Sequence, residues 1–197
     1  MAITQGQLTY DAEGNEGGPF HSRVLHVPSD SSGLTIGRGY DMKEKTSSGI
    51  EANLVDAGVD QADAALLSQA AGLSGATAKT FIVDNGLESF EISMEVQEAL
   101  FGQTYETISK DVQRICNKPD CVAAYGPVDW DNLNDKIKDV MIDLRYRGDY
   151  NPASRKRIQS LVSKNDLAGF SEDLCNVELW SSVPKGRFQR RADFLTS

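Results

Sequence analysis

The chain reads as an α+β protein, with a small β-rich N-terminal lobe on a larger, mainly helical body and a cleft between them. Three observations carry that expectation. Residues 1–50 are rich in Gly, Ser and Pro and hold only short β-branched or apolar pieces. From about residue 51, apolar residues recur at three- and four-residue steps, the period of amphipathic helices. A length of 197 residues, 40% apolar and 25% charged, suffices for one domain with a substantial core. We therefore expect a single domain over 1–197, divided into a β-rich lobe (1–50) and a helical lobe (51–197).

In the N-terminal lobe, Arg23-Val24-Leu25-His26-Val27 and Leu34-Thr35-Ile36 have the character of strands in a hairpin or meander. Short helices are expected over Glu51–Ala57 and Gln61–Ala71, the second opened by Asp60 as N-cap and followed by Gly72. Ser74 caps a third, which runs through Val83 and ends near Asn85-Gly86. The longest helix is expected from about Ser93 to Cys116, where Phe101, Tyr105, Ile108, Val112 and Ile115 form one apolar stripe. Trp130, Leu133, Ile137, Val140, Met141 and Leu144 form another. Ala153–Ser163, Leu167–Cys175 and Arg187–Leu195 complete the helical set.

Charge and cysteine content remove several classes of function. The formal net charge is −9. Residues 1–144 hold 23 acids and 10 bases, whereas residues 145–197 hold 10 bases and 6 acids. So acidic a first segment argues against nucleic acid as a partner, because such binding draws its affinity from neutralised phosphates. The basic tail, with Lys185, Arg187, Arg190 and Arg191, reads either as a local site for an anionic polymer or as a solvated helix face. No apolar run approaches the roughly 20 residues that span a bilayer, so no membrane insertion is expected. Residues 1–7 lack the basic and apolar regions of a signal peptide. Cys116 and Cys121 bracket a turn-like tetrapeptide and could close a small disulfide loop, but unpaired thiols are the default for them and for Cys175. Two histidines are too few for a zinc site, and no metal or cofactor is suggested.

The residues that carry chemistry lie in the first 41. Glu13-Gly14-Asn15-Glu16-Gly17-Gly18 and Gly33-Leu34-Thr35-Ile36-Gly37-Arg38-Gly39-Tyr40-Asp41 place carboxylates and a hydroxyl beside glycines, which permit tight turns and close approach of a ligand. Two carboxylates held apart, with a small hydroxyl, suit hydrolysis of a glycosidic bond. In an extended segment Thr35, Gly37, Gly39 and Asp41 share one face, and the glycines leave an open floor between hydroxyl and carboxylate. A general acid needs partial burial, which Tyr10, Ala12 and Phe20 could give Glu13 or Glu16. A calcium loop over Asp11, Glu13 and Asn15 fails, with Glu16 where glycine is required and Ser22 where the bidentate Glu belongs. Gly37-x-Gly39 lacks the rest of a phosphate-binding fingerprint. His21 and His26 either contact sugar or carboxylate or are satisfied loop histidines, Phe20 and Tyr40 either stack on sugar faces or pack between lobe and body, and Arg38 either binds a ligand carboxylate or pairs with Asp41. Arg147-Gly148-Asp149 spells an adhesion tripeptide by chance.

Asp11-Ala12-Glu13-Gly14, Thr35-Ile36-Gly37-Arg38-Gly39 and Tyr40-Asp41-Met42 resemble the active-site lobe of bacteriophage-type lysozymes. The closer likeness is to the pesticin-like muramidases, found in bacteriocins and in toxins delivered by contractile secretion systems. Trp180-Ser181-Ser182-Val183-Pro184-Lys185-Gly186-Arg187 is similar to the Trp, Pro and Arg pattern near the C-terminus of phage lysozymes, and the stretch Asp139–Arg147 resembles their buried central helix. The resemblance implies a lysozyme-like fold with Glu13 as acid, Thr35 holding the water and Asp41 as base or electrostatic partner. The phage enzymes carry an Asp six residues before the Thr, where this chain has Ser29; Asp30, one place away, is the rival to Asp41. A longer loop before Thr35 leaves Glu16 as a rival acid.

The resulting expectation is a peptidoglycan muramidase that hydrolyses the β-1,4 bond between N-acetylmuramic acid and N-acetylglucosamine, with inversion. It would act as a monomer on glycan strands, as an antibacterial effector or lysin, secreted or delivered to the bacterial periplasm. An immunity protein is the further partner that the resemblance implies. The alternatives are a lytic transglycosylase, a non-catalytic cell-wall-binding module, and a toxin or adhesin domain that recognises another protein.

Overall fold

A computed structural model describes residue 3, residues 5–18 and residues 21–197. The architecture is α+β: mostly helical, with a small antiparallel sheet. The elements are α1 (Gln7–Ala12), β1 (Thr35–Ile36), β2 (Tyr40–Asp41), α2 (Ser47–Asp56), α3 (Gln61–Ser68), α4 (Gly75–Asp84), α5 (Met94–Cys116), α6 (Pro119–Tyr125), α7 (Asp135–Arg147), α8 (Pro152–Ser163), α9 (Leu167–Leu174) and α10 (Lys185–Thr196). Among the described residues no helix is long and apolar enough to cross a membrane.

Two compact units emerge. Residues 13–104 make up nearly all of the first, while residues 6–12 and 105–197 make up the second. The boundary between them falls inside α5, between 104 and 105. A two-stranded hairpin cannot cover its own apolar face. Leu34, Ile36, Tyr40 and Met42 accordingly share one core with Ile50 and Leu54 of α2, Ala64 and Leu67 of α3, Ala78 of α4 and Leu100 of α5.

In the first unit β1 and β2 pair with Thr35 opposite Asp41 and Ile36 opposite Tyr40. Gly37 (φ 61°) and Gly39 (φ 87°) make the turn between them, a backbone conformation that side-chain-bearing residues rarely adopt. On its other side Thr35 exchanges both main-chain bonds with His26, each at 2.9 Å. The helices begin where local chemistry starts them. Asp60 accepts from the Ala62 N–H at 2.8 Å, and the Ser74 N–H donates to Thr77 Oγ1 at 3.2 Å. Thr46 caps α2 through the Gly49 N–H, which starts that helix several residues before the expected position.

In the second unit α7 is the centre. Its Ile137, Val140, Met141 and Leu144 are buried, as their spacing predicts, and α1, α9 and α10 pack against it. Asp143 is completely buried between them. It accepts from Arg187 Nη2 at 2.6 Å and from Arg191 Nε at 2.5 Å. Arg191 Nη2 also stands 2.9 Å from Asp149 Oδ2. Neither reading of the basic tail holds for these two arginines: their guanidiniums are internal counter-charges, and only Lys185 and Arg190 of the four are exposed. The charged ends of the adhesion-like tripeptide, Arg147 and Asp149, pair with each other. Asn117 and Lys118 make the turn out of α5, and Pro119 opens α6 in its first turn, where its missing N–H is not required. Cys116, Cys121 and Cys175 are free thiols; Cys116 Sγ accepts from Gln159 Nε2 at 3.3 Å.

Replacing Asp143 by Asn would strip the nearer of two compensating charges from the Arg191 guanidinium, which is only 2% exposed, and the facing charge from Arg187. We expect a loss of about 3–5 kcal/mol in urea unfolding, far beyond that of an exposed acid such as Asp135.

Candidate active site

The hairpin supplies the first half of the site. Because Thr35 and Asp41 are direct cross-strand partners, their side chains share one face of the ribbon. The expected reason, an extended run from 35 to 41, is replaced by a stronger one: the chain reverses at Gly37 and Gly39 and returns Asp41 to Thr35. Both Asp41 oxygens are held by main chain, Oδ2 by the Gly33 N–H at 3.1 Å and Oδ1 by the Lys43 N–H at 2.8 Å. Each oxygen keeps a further lone pair for another donor. Thr35 Oγ1 donates to Gly33 O at 3.1 Å, which leaves its lone pairs as acceptors. Gly33 is required by close approach: a Cβ there would lie 2.3 Å from Asp41 Oδ1 and 2.7 Å from Lys43 N.

The second half is the loop after α1. Glu13, at its start, is half-buried. The next residue is tied to the hairpin, since Arg38 Nη1 donates to Gly14 O at 2.9 Å. Gly14 packs so closely that a Cβ would meet Ser22 at 2.8 Å and Arg38 Cγ at 3.1 Å. Arg38, the residue between the two turn glycines, is 6% exposed. Its Nη2 reaches Glu16 Oε1 at 3.2 Å, the same oxygen to which Gln97 Nε2 donates at 2.6 Å. Arg23 Nε donates to the other oxygen, Oε2, at 2.9 Å. Burial alone pushes the Glu16 carboxyl upward, but the hydrogen bonds from Gln97, Arg23 and Arg38 outweigh it and hold the group below the ordinary glutamate range. A carboxyl held ionised by three donors is a poor proton donor, so Glu16 fits a structural anion better than an acid.

His21 lies in the same network. Its Nδ1 accepts from the Gly17 N–H at 2.8 Å, so the proton is on Nε2, which faces Glu91 Oε1 at 3.1 Å. In that tautomer the 3.8 Å approach of Nδ1 to Glu16 is no ion pair. Arg23 Nη1 adds a 2.6 Å contact to the same Glu91 oxygen, and the His21 bond holds the Glu91 carboxyl below its usual range.

Three expectations need correction. Tyr40 is 1% exposed within the core, so its ring cannot stack on a sugar; burial pushes its hydroxyl upward. Arg38 is joined to Glu16 and Gly14, not to Asp41. The Asp30 side chain is 97% exposed and faces Lys79 at 3.4 Å, so packing does not aim it as the base role requires. Phe20 lies outside the described residues. Gln97, Ser22, Arg23 and Glu91 belong to the site's framework although no motif marked them. One signal was available: the apolar stripe of α5, extended back one turn from Phe101, lands on Gln97, a polar residue at a core position.

The chain belongs to a family described as a domain of unknown function, DUF8812, which matches residues 6–192. No curated protein matches it. The family match takes in the loop, the hairpin and the buried Asp143 cluster alike.

Two outcomes are expected of this geometry. Gly33→Ala must displace the Asp41 carboxylate or the Lys43 backbone, and should cost about 1–3 kcal/mol in urea unfolding. Because Glu16 is held low in the folded state, its contribution is complete above the ordinary glutamate range and disappears as pH falls through the lowered one. The gap in urea midpoint between wild type and Glu16→Gln should therefore be widest near neutral pH and close on acidification.

Proposed function

We propose that the protein is a peptidoglycan muramidase with a lysozyme-like arrangement, which cleaves the β-1,4 bond between N-acetylmuramic acid and N-acetylglucosamine. One observation supports this reading above the others. Arg38, seated in the turn between Thr35 and Asp41, grips the carbonyl beside Glu13, so one buried guanidinium ties the loop of the acid to the hairpin of its partners.

In this mechanism Glu13 delivers its proton to the leaving glycosidic oxygen as the bond to the anomeric carbon breaks. A water held by Thr35 Oγ1 and Asp41 adds to that carbon from the opposite face and yields its proton to Asp41. Inversion needs carboxyl groups about 6.5–9.5 Å apart, with room for that water. Asp41 suits the part because both oxygens are already oriented by main-chain donors. The protein would reach its substrate in the bacterial periplasm or after secretion, and an immunity protein would act by covering Glu13 and Asp41.

Digestion of purified sacculi by wild type, Glu13→Gln and Glu16→Gln tests the reading. Reducing disaccharide-peptides should appear with wild type, fall by roughly 1,000-fold or more in Glu13→Gln, and persist in Glu16→Gln. Products lighter by one water would identify a transglycosylase instead. Sedimentation with sacculi without release of fragments would identify a binding module.

A further inference from the structure

We propose that Gln97 is a positioning residue, which holds the acid's loop in register with the Thr35–Asp41 hairpin. The proposal rests on the muramidase reading and adds to it a part played by α5.

Residues 13–18 contain neither helix nor strand; beyond the main-chain bonds Ser22 N–H to Asn15 O and His21 N–H to Gly18 O, side chains hold the loop in place. Gln97 is wholly buried and meets both halves of the site. Toward the loop, its Nε2 donates to Glu16 Oε1 at 2.6 Å, and its Oε1 accepts from Ser22 Oγ at 2.7 Å. Toward the hairpin, the Glu16 oxygen that Gln97 serves also accepts from Arg38 Nη2 of the turn at 3.2 Å, and Gln97 Cγ lies where a Cβ added to Gly37 would come within 3.6 Å of it. The amide has one sensible orientation. Glu16, paired with two arginines, is an anion and requires a donor, so Nε2 faces it and Oε1 faces the hydroxyl. Ser22 Oγ has a single proton and stands 3.0 Å from Asn15 O as well as 2.7 Å from Gln97. The Ser22 N–H already serves Asn15 O at 3.0 Å, which frees the hydroxyl proton for Gln97. Gln97 thus reads the charge of Glu16 on one side and the main-chain course of Asn15–Ser22 on the other.

No apolar residue can do both. A methionine fills similar volume but offers no donor to Glu16 and no acceptor to Ser22, so the bonds that join the loop to α5 are lost while Glu16 keeps its arginines and Ser22 turns to Asn15 O. Relaxation of the loop by about 1 Å would misplace Glu13, and displacements of that size cost on the order of 100-fold in rate.

The experiment compares wild type, Gln97→Met, Gln97→Glu and Ser22→Ala on sacculi, with kcat and KM measured from pH 4 to 8 and amide exchange followed by mass spectrometry. In Gln97→Met we expect kcat to fall roughly 10- to 100-fold with KM within about twofold. Exchange should rise in residues 13–22 and 33–43 while residues 61–84 keep their protection. Gln97→Glu sets a second carboxyl against Glu16, and two acids at that distance share a proton. Its kcat should recover on the acidic side, a pH dependence that loss of packing does not produce. Ser22→Ala retains the bulk of Gln97 and should show the same direction with a smaller effect, which covers the case in which Gln97→Met does not fold. A folded Gln97→Met with kcat within twofold of wild type would overturn the proposal, as would a uniform rise in exchange across residues 13–104. Inactive wild type would sink the muramidase reading alone. The joint would then stand or fall on whether exchange rises selectively in the two segments.

Discussion

The burial of the Arg38 guanidinium is the constraint on which the first unit depends. An arginine does not shed its proton in a protein, so one that is 6% exposed must be met by a charge and by acceptors. Glu16 supplies the charge and Gly14 O supplies an acceptor. Satisfying Arg38 therefore draws an irregular loop onto the hairpin turn, and the same bonds set the course of the chain from Glu13 to Ser22. The positive φ angles of Gly37 and Gly39 place Arg38 at the head of the turn, where it can reach that loop. Glu16 in turn needs Arg23 and Gln97, which extends the network to the start of α5.

The second unit solves the same problem with the signs reversed. There the fully buried group is the carboxylate of Asp143, and two arginines of α10 converge on it. Such an arrangement adds little to net stability, since removal of one partner is costly while an apolar replacement of all three can be neutral. It fixes the rotation of α10 against α7, because only one face of α10 carries both Arg187 and Arg191. Charge is also partitioned between the units. Residues 13–104 hold 14 acids and 5 bases, and two of those bases are committed to Glu16. Under the muramidase reading, attraction of an anionic wall to this unit's net charge is absent. Recognition would then rest on hydrogen bonds and sugar-face contacts, with weak dependence on salt.

Much of the framework is legible from local rules. Periodicity locates α5 and α7, and the caps at Asp60 and Ser74 stand where short polar side chains precede apolar runs. These rules succeed because hydrogen bonding within a few residues and burial of a stripe are properties of the segment itself. The helix after the Asn117-Lys118 turn is not legible because proline is both a turn former and a favoured first-turn helix residue, and the choice depends on the residues after it. Tyr40 stays open between two readings in the sequence because an aromatic beside glycines looks the same whether it faces a ligand or a core. For Arg38, Asp41 is the partner that nearness in sequence suggests, whereas Glu16 and Gly14, which it does bond, lie 22 and 24 residues away.

By itself the sequence determined most of the helical segments, α1 and α6 excepted, and set Thr35 and Asp41 on one face of a short segment that holds two glycines. Those properties come from backbone sterics and from spacing. The tertiary structure decided which charged groups meet: Glu16 with Arg23 and Arg38, and Asp143 with Arg187 and Arg191. It also decided that Glu16 is held as an anion while Asp30 stays in solvent, and that a glutamine on a helix completes the loop. The physical reason is that a charge takes its protonation state and its worth from burial and from partners distant in the chain, and neither is written in the residues beside it.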